Sequence, residues 1–368
     1  MKKVLIVGLK DPAGGVESAV MEQVRHLDTN EVRADFALFT ENFSFEQEIT
    51  ERGGRVIYFP SRVTARREYK AALKAAFETE KYDAVWCNFS GLTNIDFLKE
   101  ARRAGVGCRI AHAHTAQFAW GNILMKYLVP MLHYKNQRVI DKAATKLWAC
   151  SPAAAEFMFG KKNLSKTEIV NNPVDTEKYV KNEAVRREVR AEFSITDEKV
   201  IIHVGRMCVA KNQKFLLDIF SQVLKLDPSA RLLFVGDGEL QDEIMSYAEQ
   251  FSFGSSVIFT GARRDVPRLL QAADAFLLPS VTEGLPVTAV EAQAAGLCCV
   301  VSKEAVPPMT DVTGNVRFLS LADHPSVWAG EVLKATECAV SDGAERVAKG
   351  GYGLKENVER LQKVFMEA

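Results

Sequence analysis

The sequence predicts an α/β protein built from two doubly wound domains, and three observations carry that reading. The chain has 368 residues, longer than a usual single domain and enough for two hydrophobic cores. Short apolar runs alternate with longer helical patterns throughout, the signature of parallel strands joined by crossover helices. That rhythm restarts near residue 199 after a polar, charged interval.

The first half supplies strands at VLIVG (4–8), DFALF (35–39), RVIYF (55–59), DAVWC (83–87), CRIAH (108–112), KLWAC (146–150) and TEIVN (167–171). Between them lie stretches such as TARREYKAALKAAFET (64–79), where Leu73, Ala76 and Phe77 share a helical face. The second half supplies KVIIHVG (199–205), RLLFVG (231–236), SVIFTG (256–261), AFLLPS (275–280), CCVVS (298–302) and VRFLS (316–320). Each is nearly continuously apolar, as strands covered on both faces are. The expected division is a first domain over 1–172, a linker over 173–198, a second domain over 199–350 and a closing helix over 351–368 that packs back on the first. Pro173 disfavours helix at Asn172 and helps turn the chain out of the first sheet.

Hydrophobic residues make up 47% of the chain and charged residues 26%, which gives no sign of disorder. The apolar run after Met1 ends at Lys10, too short for a signal peptide or a membrane span, and reads as a strand. Seven cysteines are scattered without a CxxC pair. They argue against a disulfide framework or a zinc site and for a reducing compartment, the cytoplasm. Net charge is zero, yet the segment from Lys99 to Lys166 carries twelve Lys or Arg, well in excess of its acids. It is either a solvated basic surface or one that faces an anionic membrane or substrate.

Ligands of open α/β sheets sit beyond the carboxyl ends of strands, and two such domains leave a cleft between them. After the first strand comes LKDPAGGVESAV, where Gly14 and Gly15 precede a helix whose first N–H groups can hold an anion. It is not a GxGxxG fingerprint, and an ordinary loop reads the same way. HVGRMCVAKNQKF sets Gly205 and Arg206 at a strand end and Lys211 and Asn212 at a helix start. Two cations there suit a diphosphate, whose charges need a fixed guanidinium and a helix dipole. VGDGEL places Gly236 in a further strand-to-helix turn.

EGLPVTAVE (283–291) sets two carboxylates eight positions apart behind the strand AFLLPS. Glu283 falls in the loop and Glu291 more than a helical turn further on, so they reach two parts of one extended ligand. N–H groups around Gly284 and Leu285, with Pro286 in the helix's first turn, meet an anion, while each glutamate bonds hydroxyls. A nucleotide sugar has that layout; a helix cap at Glu283 and a surface salt bridge at Glu291 are the plainer readings. His112 and His114 end the strand CRIAH, with a core role expected for His112 and a cleft role for His114. No carboxylate or cysteine beside them and no DxD motif supplies a metal site. The stretch 121–142 mixes apolar and basic residues and is either packed on the core or leans on an anionic membrane.

Taken in order, GGVE, HT, NNPVDTEKY, GR followed by KN, GDGEL, FTGARRDVPRLLQAADAFLLPS and EGLPVTAVEAQAAG resemble the retaining glycosyltransferases of family 4, with the GT-B fold. The chain is most similar to bacterial capsule and exopolysaccharide transferases, although VPPMTDVTGNV stands where the commoner pattern has Pro-Glu and a Gly-rich turn. The resemblance implies that Arg206 and Lys211 bind the donor diphosphate and that Glu283 contacts the transferred sugar. Gly284, Leu285 and Pro286 lie beside the phosphate, Glu291 binds the ribose, and Gly205, Asn212 and Gly236 shape the donor site. His114 sits where the acceptor approaches, and Gly14 and Gly15 shape the acceptor and phosphate side.

The activity so implied is retaining, metal-independent transfer of a hexose-type sugar from a nucleotide sugar, UDP by preference. The acceptor is a saccharide, tried first as a lipid-diphosphate-saccharide. No cofactor and no nucleic-acid partner is expected, and the basic 99–166 region offers peripheral contact with the inner face of the cell membrane. The rivals are a nucleotide-sugar epimerase of the same fold and a non-catalytic nucleotide-sugar-binding subunit.

Overall fold

A computed structural model describes residues 1–11, 14–118 and 123–368. Residues 12 and 13 of the glycine-containing turn lie outside the described residues. So do residues 119–122, where the sequence puts the end of the His114 loop and the start of the basic helix. The chain forms two compact units, Met1–Pro173 with Leu354–Ala368, and Val174–Gly353.

Unit 1 holds seven parallel strands: β1 (Lys2–Val7), β2 (Val32–Leu38), β3 (Val56–Tyr58), β4 (Ala84–Phe89), β5 (Cys108–Ala113), β6 (Lys146–Ala149) and β7 (Thr167–Ile169). Their order in the sheet is β3-β2-β1-β4-β5-β6-β7. The direction of winding therefore reverses between β1 and β4. Every residue of β4 is buried, as helices on both faces require. Helix Arg66–Thr79 buries Tyr69, Leu73 and Phe77, one residue per turn on one side.

Helix Leu354–Met366 completes this unit. Its Leu354, Val358, Leu361 and Phe365 join the core that contains Phe36, Trp86 and Trp148, and the Phe365 and Trp86 ring centroids are 6.2 Å apart. Lys2 Nζ donates to the carbonyl of Ala368 at 2.6 Å.

Unit 2 holds β8 (Val200–Val204), β9 (Arg231–Val235), β10 (Val257–Gly261), β11 (Ala275–Leu278), β12 (Cys298–Ser302) and β13 (Val316–Leu319). All are parallel, in the order β10-β9-β8-β11-β12-β13. Here the winding reverses between β8 and β11, which places the loops after those strands at the unit's switch point.

Two expectations are corrected. The charged stretch expected as a linker over 173–198 is none: Pro173 closes unit 1 and residues 174–198 belong to unit 2, with Val174, Tyr179, Val189 and Ile195 in its core. Its arginines have partners that lie far along the chain as well as near. Arg186 donates to the carbonyls of Gln271 and Ala273, and Arg190 to that of Ala272, all at the carboxyl end of helix Val266–Ala272. Cations there complete the unpaired carbonyls of the last turn and complement its dipole.

The cysteines also differ. Cys298 in β12 and Cys338 form a disulfide across 40 residues, while Cys87, Cys108, Cys150, Cys208 and Cys299 are free. A pairing at that separation has no local signature, and it removes one support for a reducing compartment. Among the described residues no helix is long and apolar enough to cross a membrane.

Truncating Phe365 tests the dependence of unit 1 on its last helix. Phe365→Ala is expected to lower unfolding free energy by about 3–5 kcal/mol, the range for a buried phenylalanine, measured by urea denaturation with a probe in unit 1.

Candidate functional site

In unit 2 the loops after β8 and β11 are sewn together. Val281 N–H donates to the carbonyl of Ala210 at 2.9 Å, and Asn212 Nδ2 donates to that of Pro279 at 3.1 Å. Asn212 adopts the left-handed conformation (φ 55°, ψ 44°) as the chain enters helix Gln213–Leu226. Asparagine tolerates that region better than most residues. Gln213 Nε2 donates to the carbonyl of Arg206 at 2.8 Å and fixes the start of the loop.

Lys211 and Glu283 meet where these loops join. Lys211 Nζ lies 2.6 Å from Glu283 Oε1, and the two side chains are only 16% and 10% exposed. Ser280 Oγ donates to the same carboxylate oxygen at 2.6 Å. Ser280 is fully buried, and its carbonyl accepts from Ser302 Oγ in β12. The glutamate is thus set by a chain of hydrogen bonds that ends in the sheet.

Arg206 is not part of that pair. Its Nε lies 3.0 Å from Glu239 Oε2, with both side chains more than half exposed, where an ion pair contributes about 0–1 kcal/mol. Arg206 and Lys211 therefore hold different carboxylates rather than converging on one point. Gly205 N–H donates to Val235 at 3.0 Å, and the loops after β8 and β9 approach so closely that a Cβ on Gly236 would lie 2.1 Å from the Gly205 carbonyl oxygen. With φ at 134°, that position requires glycine.

Helix Val287–Ala294 begins at Pro286 with no side-chain cap. Its first N–H groups, behind half-buried Gly284 and buried Leu285 and Pro286, are the donors a helix start offers to an anion. Glu291 lies one turn into this helix, half-buried. Gln293 on the same helix anchors the unusual VPPMTDVTGNV stretch. Its Nε2 donates to Thr310, and its Oε1 accepts from the N–H groups of Val312 and Thr313.

In unit 1, His112 is a satisfied core residue. Trp86 Nε1 donates to its Nδ1, and its Nε2 donates to the Val170 carbonyl. His114 is 7% exposed, and its Nε2 lies 2.9 Å from Asn88 Oδ1. Burial lowers its pKa to about 4, so its imidazole is neutral near pH 7. Asn88 lines a pocket of about 350 Å³ with Gly8, Glu17, Phe39 and Phe97.

Gly14 does not present its N–H to a ligand. It donates to Glu17 Oε2 at 2.9 Å, and Lys10 N–H donates to Glu17 Oε1 at 3.2 Å. The glutamate of GGVE, 3% exposed, thus supplies internally the anion expected from outside. Gly15 is not sterically required by the described residues, since a Cβ there would touch none of them within 4 Å.

Sequence reasoning missed Ser280, Glu239, Glu17 and Gln293. Ser280 and Glu17 lie three residues from Glu283 and Gly14, and a capping-box spacing would have found Glu17. Glu239 and Gln293 act across the fold and leave no local sign.

Two Rossmann-like units, each with its ligand-facing loops at a switch point, form the domain pair of the GT-B class. The first matches the family described as "Glycosyltransferase Family 4" over residues 13–178, and the second "Glycosyl transferases group 1" over residues 185–339. Among relatives, the "Putative glycosyltransferase EpsF" of Bacillus subtilis (strain 168) is 32% identical over 376 residues, covering 99% of this chain and 96% of that protein. The "UDP-Gal:alpha-D-GlcNAc-diphosphoundecaprenol alpha-1,3-galactosyltransferase" of Escherichia coli is 30% identical over 63% of this chain and 60% of its own length. Among solved structures, Anabaena HepE in complex with UDP matches 100% of both chains with a TM-score of 0.81 at 17% identity. Sucrose-phosphate synthase from Thermosynechococcus elongatus covers 100% of this chain and 99% of its own, with a TM-score of 0.74 at 14% identity. The chain belongs to the glycosyltransferases and is an enzyme of that class.

The contrast between two glycines tests this geometry. Gly236→Ala should cost about 1–3 kcal/mol or more from backbone strain alone. Gly15→Ala, at a helix start with open space, should be neutral or stabilise by about 0.4–1 kcal/mol. Melting temperatures of the two variants check both signs.

Proposed function

We propose that the protein transfers a hexose-type sugar from a nucleotide sugar, with UDP as the nucleotide, to a saccharide carried on a lipid diphosphate. The reaction retains anomeric configuration, needs no metal, and serves bacterial capsule or exopolysaccharide synthesis. The observation that carries this reading is the Lys211–Glu283–Ser280 constellation at the ends of β8 and β11, beside an uncapped helix start. The HepE structures with UDP and with UDP-glucose, and the lipid-linked acceptor named for the E. coli relative, support the donor and acceptor classes.

In this reading the diphosphate lies against the Lys211 ammonium and the N–H groups around Gly284 and Leu285, with Arg206 swinging from Glu239 to join it. Glu283 bonds the sugar hydroxyls and Glu291 the ribose. An acceptor hydroxyl oxygen bonds the anomeric carbon as the bond to the phosphate oxygen breaks on the same face. Its proton passes to the departing diphosphate, so no separate general base is required. Preorganised cations stabilise the charge that builds on that leaving group. The acceptor saccharide occupies the unit 1 pocket beside Asn88, with neutral His114 behind it.

Lys211→Ala is expected to lower kcat roughly 10²-fold or more, read as nucleotide released from a UDP-sugar. Glu291→Ala should chiefly raise the donor KM, because ribose contacts are made equally in ground and transition states. Unchanged turnover in the lysine variant would sink the assignment. Conversion of a UDP-sugar to its epimer without acceptor would favour the epimerase reading instead.

The same proposal places the enzyme on the inner face of the membrane, through unit 1. Helix Ile123–Gln137 exposes Tyr127, Met131 and Tyr134 at helical spacing, with exposed Lys135 and Arg138 nearby. Arg66, Lys70 and Lys74 on one helix face Lys99 and Arg103 on another across an open groove of about 760 Å³. Aromatic and cationic groups together suit an anionic interface. The protein should float with vesicles rich in phosphatidylglycerol and not with phosphatidylcholine vesicles. Met131→Ser with Tyr134→Ser should weaken flotation without changing nucleotide release; equal flotation with both lipids would refute the placement.

A further inference from the structure

Directly under Lys211 lies a histidine to which the proposed reaction assigns no part. His203 in β8 is fully buried. Its Nδ1 lies 2.9 Å from the Leu277 carbonyl oxygen in β11. A carbonyl only accepts, so Nδ1 carries the proton and Nε2 presents a bare lone pair. Among the described residues that Nε2 has no hydrogen-bond partner.

His203 Nε2 and the Lys211 stem both lie close to Gly205. A Cβ on Gly205 would lie 3.3 Å from His203 Nε2 and 3.3 Å from Lys211 Cε. The absent side chain is therefore what lets the imidazole and the lysine stem approach each other. Burial, with the nearby Lys211 charge adding to it, lowers the His203 pKa to about 4, so the ring remains an acceptor at neutral pH. A buried acceptor left unpaired is costly, and the Lys211 stem, whose Cε approaches the same point beside Gly205 as His203 Nε2, ends in an ammonium with hydrogens to give. Among the described contacts that ammonium has one acceptor, Glu283 Oε1, while an ammonium has three N–H bonds.

We propose that His203 is a positioning residue for Lys211: when a diphosphate draws the ammonium from Glu283, His203 Nε2 accepts one of its N–H bonds and fixes its direction from below. The inference rests on the reading that Lys211 serves the donor diphosphate. The lysine then changes partners without losing its place. Glu283 and His203 thus hold it in turn, and the exchange frees the glutamate for sugar hydroxyls.

Nitrogen-15 spectra of histidine-labelled full-length protein, with UDP as the probe, test this directly. UDP should stabilise the protein thermally and shift the His203 Nε2 resonance as its lone pair becomes hydrogen-bonded, and Lys211→Ala should abolish the shift. Stabilisation by UDP without movement of that resonance would overturn the positioning role and leave the donor site standing. So would an equal shift in the Lys211 variant. No stabilisation by UDP would withdraw the donor reading and this inference together.

Two substitutions give the kinetic counterpart. In His203→Asn the amide nitrogen keeps the bond to Leu277 but nothing occupies the Nε2 position. His203→Gln reaches that position with an acceptor oxygen. The asparagine variant should lose about tenfold to a hundredfold in kcat, the worth of one hydrogen bond to a charged group, with little change in donor KM. Glutamine should recover most of that loss. Wild-type kcat in the asparagine variant, or glutamine no better than asparagine, would each overturn the proposal.

Discussion

The ion pair of Lys211 with Glu283 is the interaction on which the unit 2 site depends. Two parallel strands that lead their connections in opposite directions leave unpaired polar loops at their ends. In this chain those loops are joined by one strongly shielded charge pair and by backbone bonds on either side of it. Removing one member of such a pair leaves a poorly solvated charge, far costlier than losing an exposed bridge such as Arg206–Glu239. The same pair balances the lysine's charge against the glutamate's. In the proposed reaction a diphosphate competes with a carboxylate for an ammonium already in place, rather than recruiting one from solvent.

Most of the architecture was legible from local pattern. All thirteen described strands fall on runs the sequence marks, most plainly the central ones such as β4, β8 and β11, which are buried along their whole length and read as apolar runs. The positions of Gly205, Lys211, Asn212, Glu283 and Glu291 after strands were legible for the same reason. The partner of each side chain was not. Glu283 lies 72 residues from Lys211, and spacing alone cannot tell a carboxylate reserved for a sugar from one that also holds a lysine. The segment 173–198 misled because Arg186 and Arg190 look solvated until the helix end they complete is in view. The disulfide was hidden by distance along the chain, and Glu17 was passed over although its capping-box spacing was on display.

Polar burial in unit 1 follows a different logic. His112, His114 and Asn88 line the carboxyl ends of β4 and β5, where the sheet could have closed with apolar side chains. Two neutral imidazoles beside an amide leave these strand ends uncharged and polar, with Asn88 on the pocket. Fixed dipoles without net charge suit recognition of hydroxyl-rich ligands, since they give orientation without the desolvation penalty of an ion.

The discontinuity of unit 1 bears on how the protein comes into being. Residues 1–173 emerge from the ribosome first, yet the core around Phe36, Trp86 and Trp148 lacks its cover until the helix from Leu354 arrives. Unit 2 is contiguous and is synthesised in the interval, so it can settle while its predecessor still waits with apolar surface uncovered. A chain released early would carry a finished second unit and an unsealed first one. Such a product is open to chaperones and proteases, and the helix from Leu354 thus serves as a seal on unit 1.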